Sequence, residues 1–177
     1  MKRVLARLDF LIHAPRRELI KAAAVVAGLT ALGLFFSSQY GVFIDLAETR
    51  CMPEYVYLGY PKAAVLQRGD IVSFVATDKT MLGLFAGHRM AKIIAGLPGD
   101  YIVTGSDGVF VNGKRVAERS PKTLEKMAYR HVSSVDMSRT LQPGELFVLG
   151  TLPRSFDSRY WGALPAASVE RMVKAVF

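Results

Sequence analysis

Two residues stand out as able to attack a carbonyl. Cys51, the only cysteine, lies in Thr49-Arg50-Cys51-Met52-Pro53, and Lys92 lies in the apolar run Met90-Ala91-Lys92-Ile93-Ile94. A thiol attacks as its thiolate, so it needs a base to take its proton. A lysine becomes that base where loss of water favours the neutral amine over the ammonium. Spacing alone favours a strand lysine on a solvent-facing surface. A lone cysteine cannot close an internal disulfide; it is a buried thiol, a link between chains, or a reactive group. His88, four positions before Lys92, would face the same way on a continuous strand, which makes a Cys51–His88 couple a competing reading. Farther on, Ser155-Phe156-Asp157-Ser158-Arg159 offers a hydroxyl beside an acid–base pair. On an extended segment Asp157 and Arg159 would point to one face and pair. No cluster of Cys, His, Asp or Glu has metal-ligand spacing and no glycine-rich phosphate loop occurs, so neither a metal nor another cofactor is implied.

The elements that must position these groups are of two kinds. Residues 22–44 carry no charge. At about 1.5 Å per residue a helix there can cross a hydrocarbon core of roughly 30 Å. The run is longer than the apolar part of a cleaved signal peptide, and residues 22–36 lack a polar face, so a retained membrane-spanning helix is expected. Lys2, Arg3, Arg7, Arg16, Arg17 and Lys21 outweigh Asp9 and Glu18 ahead of it, which puts the N-terminus in the cytoplasm. The division that follows is a basic amphipathic cytoplasmic segment (1–21), a transmembrane helix and its exit (22–44, with 41–47 a short strand or extended linker), and an outer domain (45–177).

Beyond the apolar segment the pattern becomes strand-like. Residues 55–58, 71–75, 101–103, 109–111 and 146–149 are short β-branched and aromatic runs bounded by turn residues, and Asn112-Gly113 marks a hairpin. Residues 120–130 form the exception: Ser120-Pro121 followed by Leu124, Met127 and Ala128 predicts a short helix. The fold class is therefore mainly β with one N-terminal transmembrane helix. The 177 residues suit one domain plus an anchor, and 51% are hydrophobic. The net charge of +8 is partly topological, and with no recognised nucleic-acid motif beside it a nucleic-acid partner is not expected.

Taken together, Cys51-Met52-Pro53 after the apolar segment, Lys92 four positions before Gly96-Leu97-Pro98-Gly99-Asp100, and residues 149–162 resemble the S26 signal peptidases, above all the TraF-type peptidases of conjugative transfer. Arg68-Gly69-Asp70-Ile71-Val72 and Val109-Phe110-Val111-Asn112-Gly113 match further boxes of that family, and the resemblance runs from about residue 22 to 177. It implies an S26-like β-rich catalytic domain in which a Ser–Lys dyad cleaves peptide bonds at the outer face of a membrane. Here Cys51 stands where the family has serine, and the arginine that often follows the base is replaced by Ile93. By the resemblance Cys51 and Lys92 are catalytic, and Thr49 with the Cys51 backbone N–H forms the oxyanion hole. Ser155 would direct the Lys92 amine, while Asp157, Ser158 and Arg159 hold the loop.

The implied enzyme is a single-pass protein of a bacterial inner membrane with a periplasmic catalytic domain. It would cleave a membrane-associated propilin, with the lipid bilayer and other conjugation-system components as further partners. A thioester at Cys51 would favour capture by an amine, hence head-to-tail cyclisation. Two alternatives are a purely hydrolytic signal peptidase and a catalytically inactive scaffold of the secretion apparatus. A lipid-facing apolar surface is expected around Met52 and residues 55–58.

Overall fold

A computed structural model of the chain describes residues 15–46, 50–77 and 87–176. The chain divides after Tyr40 into two units, each taken here by itself.

The first unit contains helix α1, Arg16–Gln39. Its first turns are charged, with Lys21 paired to Glu18 at 2.8 Å, and the remainder is apolar. None of its residues is buried against protein; Leu29, Leu34 and Phe35 are all exposed. At about 1.5 Å per residue it is ~36 Å long, which exceeds a ~30 Å hydrocarbon core. The helix begins ahead of residue 22 because Arg, Glu and Lys propagate a helix as readily as apolar residues do. It stops at Gln39, short of residue 44, because the chain from Gly41 onward is drawn into a sheet.

The second unit is mainly β. Its elements are β1 (Gly41–Ile44), β2 (Val56–Pro61), β3 (Ile71–Val75), β4 (Arg89–Gly96), β5 (Tyr101–Gly105), β6 (Gly108–Val111), β7 (Lys114–Ala117), α2 (Pro121–Tyr129), β8 (Ser138–Thr140), β9 (Glu145–Leu149), α3 (Ser158–Trp161), β10 (Leu164–Pro165) and β11 (Val169–Ala175). Among the described residues they form two antiparallel sheets. One has the order β1-β2-β11-β3-β4-β9-β10, the other β7-β6-β5-β8. The C-terminal strand β11 thus lies between β2 and β3, Met172 pairing with Tyr60 on one side and Val72 on the other. The core of the large sheet joins Val72, Phe74, Ile94, Val148, Tyr160 and Trp161, and Met127 of α2 is buried in it. A second cluster, including Ile102, Val109, Val111 and Phe147, lies under the small sheet.

Three turns that the sequence marks by composition meet at one carboxylate. Asp100 closes the Gly-Leu-Pro-Gly-Asp turn by accepting the Leu97 N–H at 2.6 Å, with Gly99 at φ +91°. The same Asp100 oxygen takes the Arg68 guanidinium at 2.6 Å, and its other oxygen takes the Asn112 amide at 2.7 Å. Asn112 and Gly113, at φ +50° and +77°, make the hairpin turn between β6 and β7. Burial raises the Asp100 carboxyl, but the Leu97, Asn112 and Arg68 hydrogen bonds outweigh it and hold the group below its ordinary range. Arg68 also donates to the Ala95 carbonyl. This knot fixes the exit of β4, the strand that carries Lys92.

Candidate active site

Lys92 points inward from β4. It pairs across the sheet with Val72 and is 0% exposed, one of the largest fully buried side chains. Among the described residues it has no ion pair, and its amine donates to Ser155 Oγ at 2.9 Å. Ser155 is likewise fully buried. Burial of an amine requires a polar partner, and the Ser155 hydroxyl supplies it. The reading of Lys92 as a solvent-facing strand residue is therefore corrected. His88, just before β4, is exposed and lines the same cavity as Cys51.

Cys51 is half-buried in the segment between β1 and β2. Arg50 holds that segment by donating to the Pro53 carbonyl at 2.8 Å and stacking over Tyr55, 3.7 Å from the ring centroid. Met52 is buried with Tyr57 and Val173, and Cys51 packs against them. The expected lipid-facing surface around Met52 is corrected accordingly, since Met52 and Tyr57 are each 3% exposed; Val42, Ile44, Leu46, Tyr55 and Leu58 are the exposed apolar side chains nearby in sequence. Thr49 lies outside the described residues.

Gly150 brings the two halves of the site together. The Cys51 carbonyl accepts the Leu152 N–H at 3.2 Å. A Cβ on Gly150 would overlap Ser155 Oγ and stand 2.5 Å from that same Cys51 carbonyl oxygen. The backbone beside the thiol and the hydroxyl that holds the amine are therefore both packed on one bare Cα. Real Cβ atoms do not sit that close to other heavy atoms, so only glycine fits here.

The peptide of Gly150 is clamped from both sides. Its N–H donates to Asp157 Oδ2 at 2.8 Å, and its carbonyl accepts from Arg159 Nη2 at 3.0 Å. Asp157 and Arg159 form a two-pronged ion pair, Nε to Oδ1 and Nη2 to Oδ2, each at 2.7 Å, with both side chains nearly or fully buried. The pair does not form on an extended segment. Asp157 is the N-cap of α3 and accepts the Arg159 N–H, so one helical turn sets the pairing. Burial pulls the Arg159 guanidinium down, yet the Asp157 hydrogen bonds and charge more than offset it and raise it above its ordinary value. Ser158 Oγ accepts the Val148 N–H at 3.0 Å, tying α3 to β9. Arg119, a residue with no sequence signal, donates to the Arg159 carbonyl at 2.8 Å.

A cavity of about 940 Å³ opens beside this arrangement. Cys51, Met52, Met90, Ala91 and Phe156 form part of its wall, whereas Lys92 and Ser155 do not reach it. Ser73 also lines it, and its buried hydroxyl has no partner among the described residues. A serine inside the run Ile71-Val72-Ser73-Phe74-Val75 was the available clue. Among the described residues no group of His, Cys, Asp and Glu could hold a metal ion.

The profile described as "Signal peptidase, peptidase S26" matches residues 16–177. "Probable signal peptidase I-2" of Synechocystis is 34% identical over 100 residues, 56% of this chain and 42% of that protein. "Signal peptidase I V" of Bacillus subtilis is 36% identical over 107 residues, 56% of this chain and 59% of that protein. The chain thus spans about half the length of these two signal peptidases. "Conjugal transfer protein TraF" of Agrobacterium tumefaciens is 26% identical over 159 residues, 88% of this chain and 86% of that protein. The crystal structure of a signal peptidase I from Enterococcus faecalis superposes with a TM-score of 0.39 at 33% identity, covering 63% of this chain and 98% of that one. With the profile matched across both units, the chain belongs to the S26 signal peptidase family.

Proposed function

We propose that this protein is a membrane-anchored peptidase of a conjugative secretion system that processes a propilin through Cys51 and Lys92. The observation that carries the reading is the fully buried Lys92 amine, held at 2.9 Å by Ser155, whose hydroxyl shares the Gly150 Cα with the Cys51 backbone. The Cys51 thiol gives its proton to the neutral Lys92 amine as Sγ bonds to the scissile carbonyl carbon. The oxyanion meets the Cys51 N–H and the Thr49 hydroxyl. Collapse breaks the C–N bond, and the Lys92 ammonium returns the proton to the leaving amine. The product is a thioester. Thioesters react with amines, relative to water, far more readily than oxygen esters do. The fragment beyond the cleaved bond departs as the free amine, and the N-terminal amine of the pilin chain held in the thioester attacks its carbonyl, closing a head-to-tail peptide bond and restoring the thiol. One peptide bond is broken and one formed, with no net water consumed.

Two further observations support the setting. Helix α1 is apolar, exposed and long enough to span a bilayer, and its preceding positive charges favour a cytoplasmic N-terminus with the β domain outside. The match to the conjugal transfer protein covers most of both chains, unlike the matches to the signal peptidases. Holding enzyme and substrate in one membrane raises their effective concentration.

The test is intact-mass measurement of the propilin from cells carrying wild-type protein or Cys51→Ala, Cys51→Ser or Lys92→Ala. Wild type should give a product one water lighter than the cleaved linear chain, Cys51→Ser a larger linear share, and the two alanine variants unprocessed substrate. A linear product from wild type returns the enzyme to ordinary hydrolysis. Normal mature pilin from Cys51→Ala removes the thiol from the chemistry and leaves a scaffold.

A further inference from the structure

The cavity beside Cys51 is markedly basic on one side. Lys122 and Lys126 of α2, Arg130 at its C-terminal end and Arg154 all line it. Their spacing of four puts Lys122, Lys126 and Arg130 along one face of the helix, while Met127 faces the core. All four cations are exposed, and none has an ion pair or side-chain hydrogen bond among the described residues. Arg89, also on the wall, is engaged by Glu170 at 3.0 Å, and Asp45 is the one carboxylate on the wall among the described residues. Like charges four apart on a helix repel each other. The cavity beside Cys51 therefore carries a cationic face that no acid among the described residues compensates.

Building on the peptidase reading, we propose that α2 and Arg154 form a subsite for a carboxylate of the substrate peptide, an acidic side chain or a chain-terminal carboxyl near the scissile bond. Much of the remaining wall, including Val42, Met52, Met90 and Phe156, is apolar. The occupant is thus a peptide that is apolar at the cleaved bond and acidic a short distance along. A volume near the upper end of ordinary ligand pockets (about 300–1,000 Å³) accommodates several residues of such a chain. Anionic lipid headgroups offer similar charge, but these side chains open onto the same cavity as the thiol, which favours the substrate itself.

The probe is a synthetic peptide set, apolar around a central cleavable bond, with Glu, Gln or Lys placed in turn at each flanking position, and with the C-terminus free or amidated. Full-length enzyme in zwitterionic detergent should cleave at least one Glu peptide about tenfold better than its Gln counterpart, the combined effect of two or three exposed ion pairs. The ratio should fall with added salt. In a K122Q/K126Q/R130Q variant, which keeps only Arg154 of the four, it should fall most of the way to one. The free-versus-amidated pair tells a terminal carboxyl from a side chain. Binding of the same peptides to Cys51→Ala protein, followed by fluorescence anisotropy, reads recognition without catalysis. Glu-selective binding with no cleavage by wild type would retain the subsite and refute the peptidase reading. Equal binding and cleavage of Glu and Gln peptides by wild type would overturn the subsite. So would selectivity unchanged in the triple variant, or a triple variant that loses only affinity for phosphatidylglycerol vesicles.

Discussion

The substitution Ser155→Ala isolates the contact on which the proposed base depends. Lys92 and Ser155 are both 0% exposed, and the 2.9 Å hydrogen bond between them is the one the Lys92 side chain makes among the described residues. Alanine removes the oxygen and adds nothing that could clash. Water has no access to replace it, so a buried donor is left unmade, at a cost of roughly 1–3 kcal/mol. If the hydroxyl serves to aim the amine, that loss falls on the transition state, and kcat/KM should drop about five- to 150-fold. If the hydroxyl serves only the fold, the same energy lowers Tm by about 2–12 °C for a chain of this size and leaves turnover per folded molecule alone. Ser158→Ala is the internal standard. It is a fully buried serine three residues on, whose oxygen accepts the Val148 N–H and does not touch Lys92. Both variants would be followed by cleavage kinetics and thermal unfolding of the full-length protein in detergent. Ser155→Ala should lose much more activity per degree of Tm than Ser158→Ala. A Ser155→Ala enzyme within twofold of wild-type kcat/KM would refute the assignment.

Three other expectations can be checked on the same material. Gly150→Ala must push its Cβ into Ser155 Oγ and the Cys51 carbonyl, so activity should fall at least tenfold, with thiol-alkylation kinetics at Cys51 reporting the displaced backbone. Asp157→Asn leaves the buried Arg159 charge without its carboxylate, and thermal or denaturant unfolding should show a loss of about 3–5 kcal/mol. The Asp100 carboxyl is held below its ordinary value of 3.8, so its contribution to stability is present above that pH and is lost as pH falls through the lower folded-state value. The Tm gap between wild type and Asp100→Asn should therefore be constant from neutral pH down to about 4 and close below it.

What could be read in advance was chiefly turn chemistry and the reactive residues. Arg68, Asp100 and Asn112 stand beside glycines whose positive φ the turns demand, so local rules found them, although their convergence on one carboxylate is tertiary. Strands defined by partners were harder. Val169-Glu170-Arg171-Met172-Val173-Lys174-Ala175 is rich in helix-favouring residues, yet it forms β11 because β2 and β3 supply ladders on both of its edges. The same holds for β4, where Arg89 to Gly96 gains its extended form from β3 and β9. Asp157 and Arg159 were legible as a pair but not in their backbone, because a cap at Asp157 turns the segment into α3. The sequence marked α2 only by its apolar residues; that its basic face lines a cavity follows from the course of the chain around it.

The central place of β11 ties the two parts of the candidate site to the far end of the chain. Cys51 enters the large sheet by way of β2 and Lys92 by way of β4, and β11 is the strand inserted between these two regions. Without residues 169–175, β2 and β3 would share no ladder, and the contacts around Gly150 alone would join the Cys51 segment to the Lys92 strand. A change in this strand, remote in sequence from both residues, would thus loosen the register of one against the other.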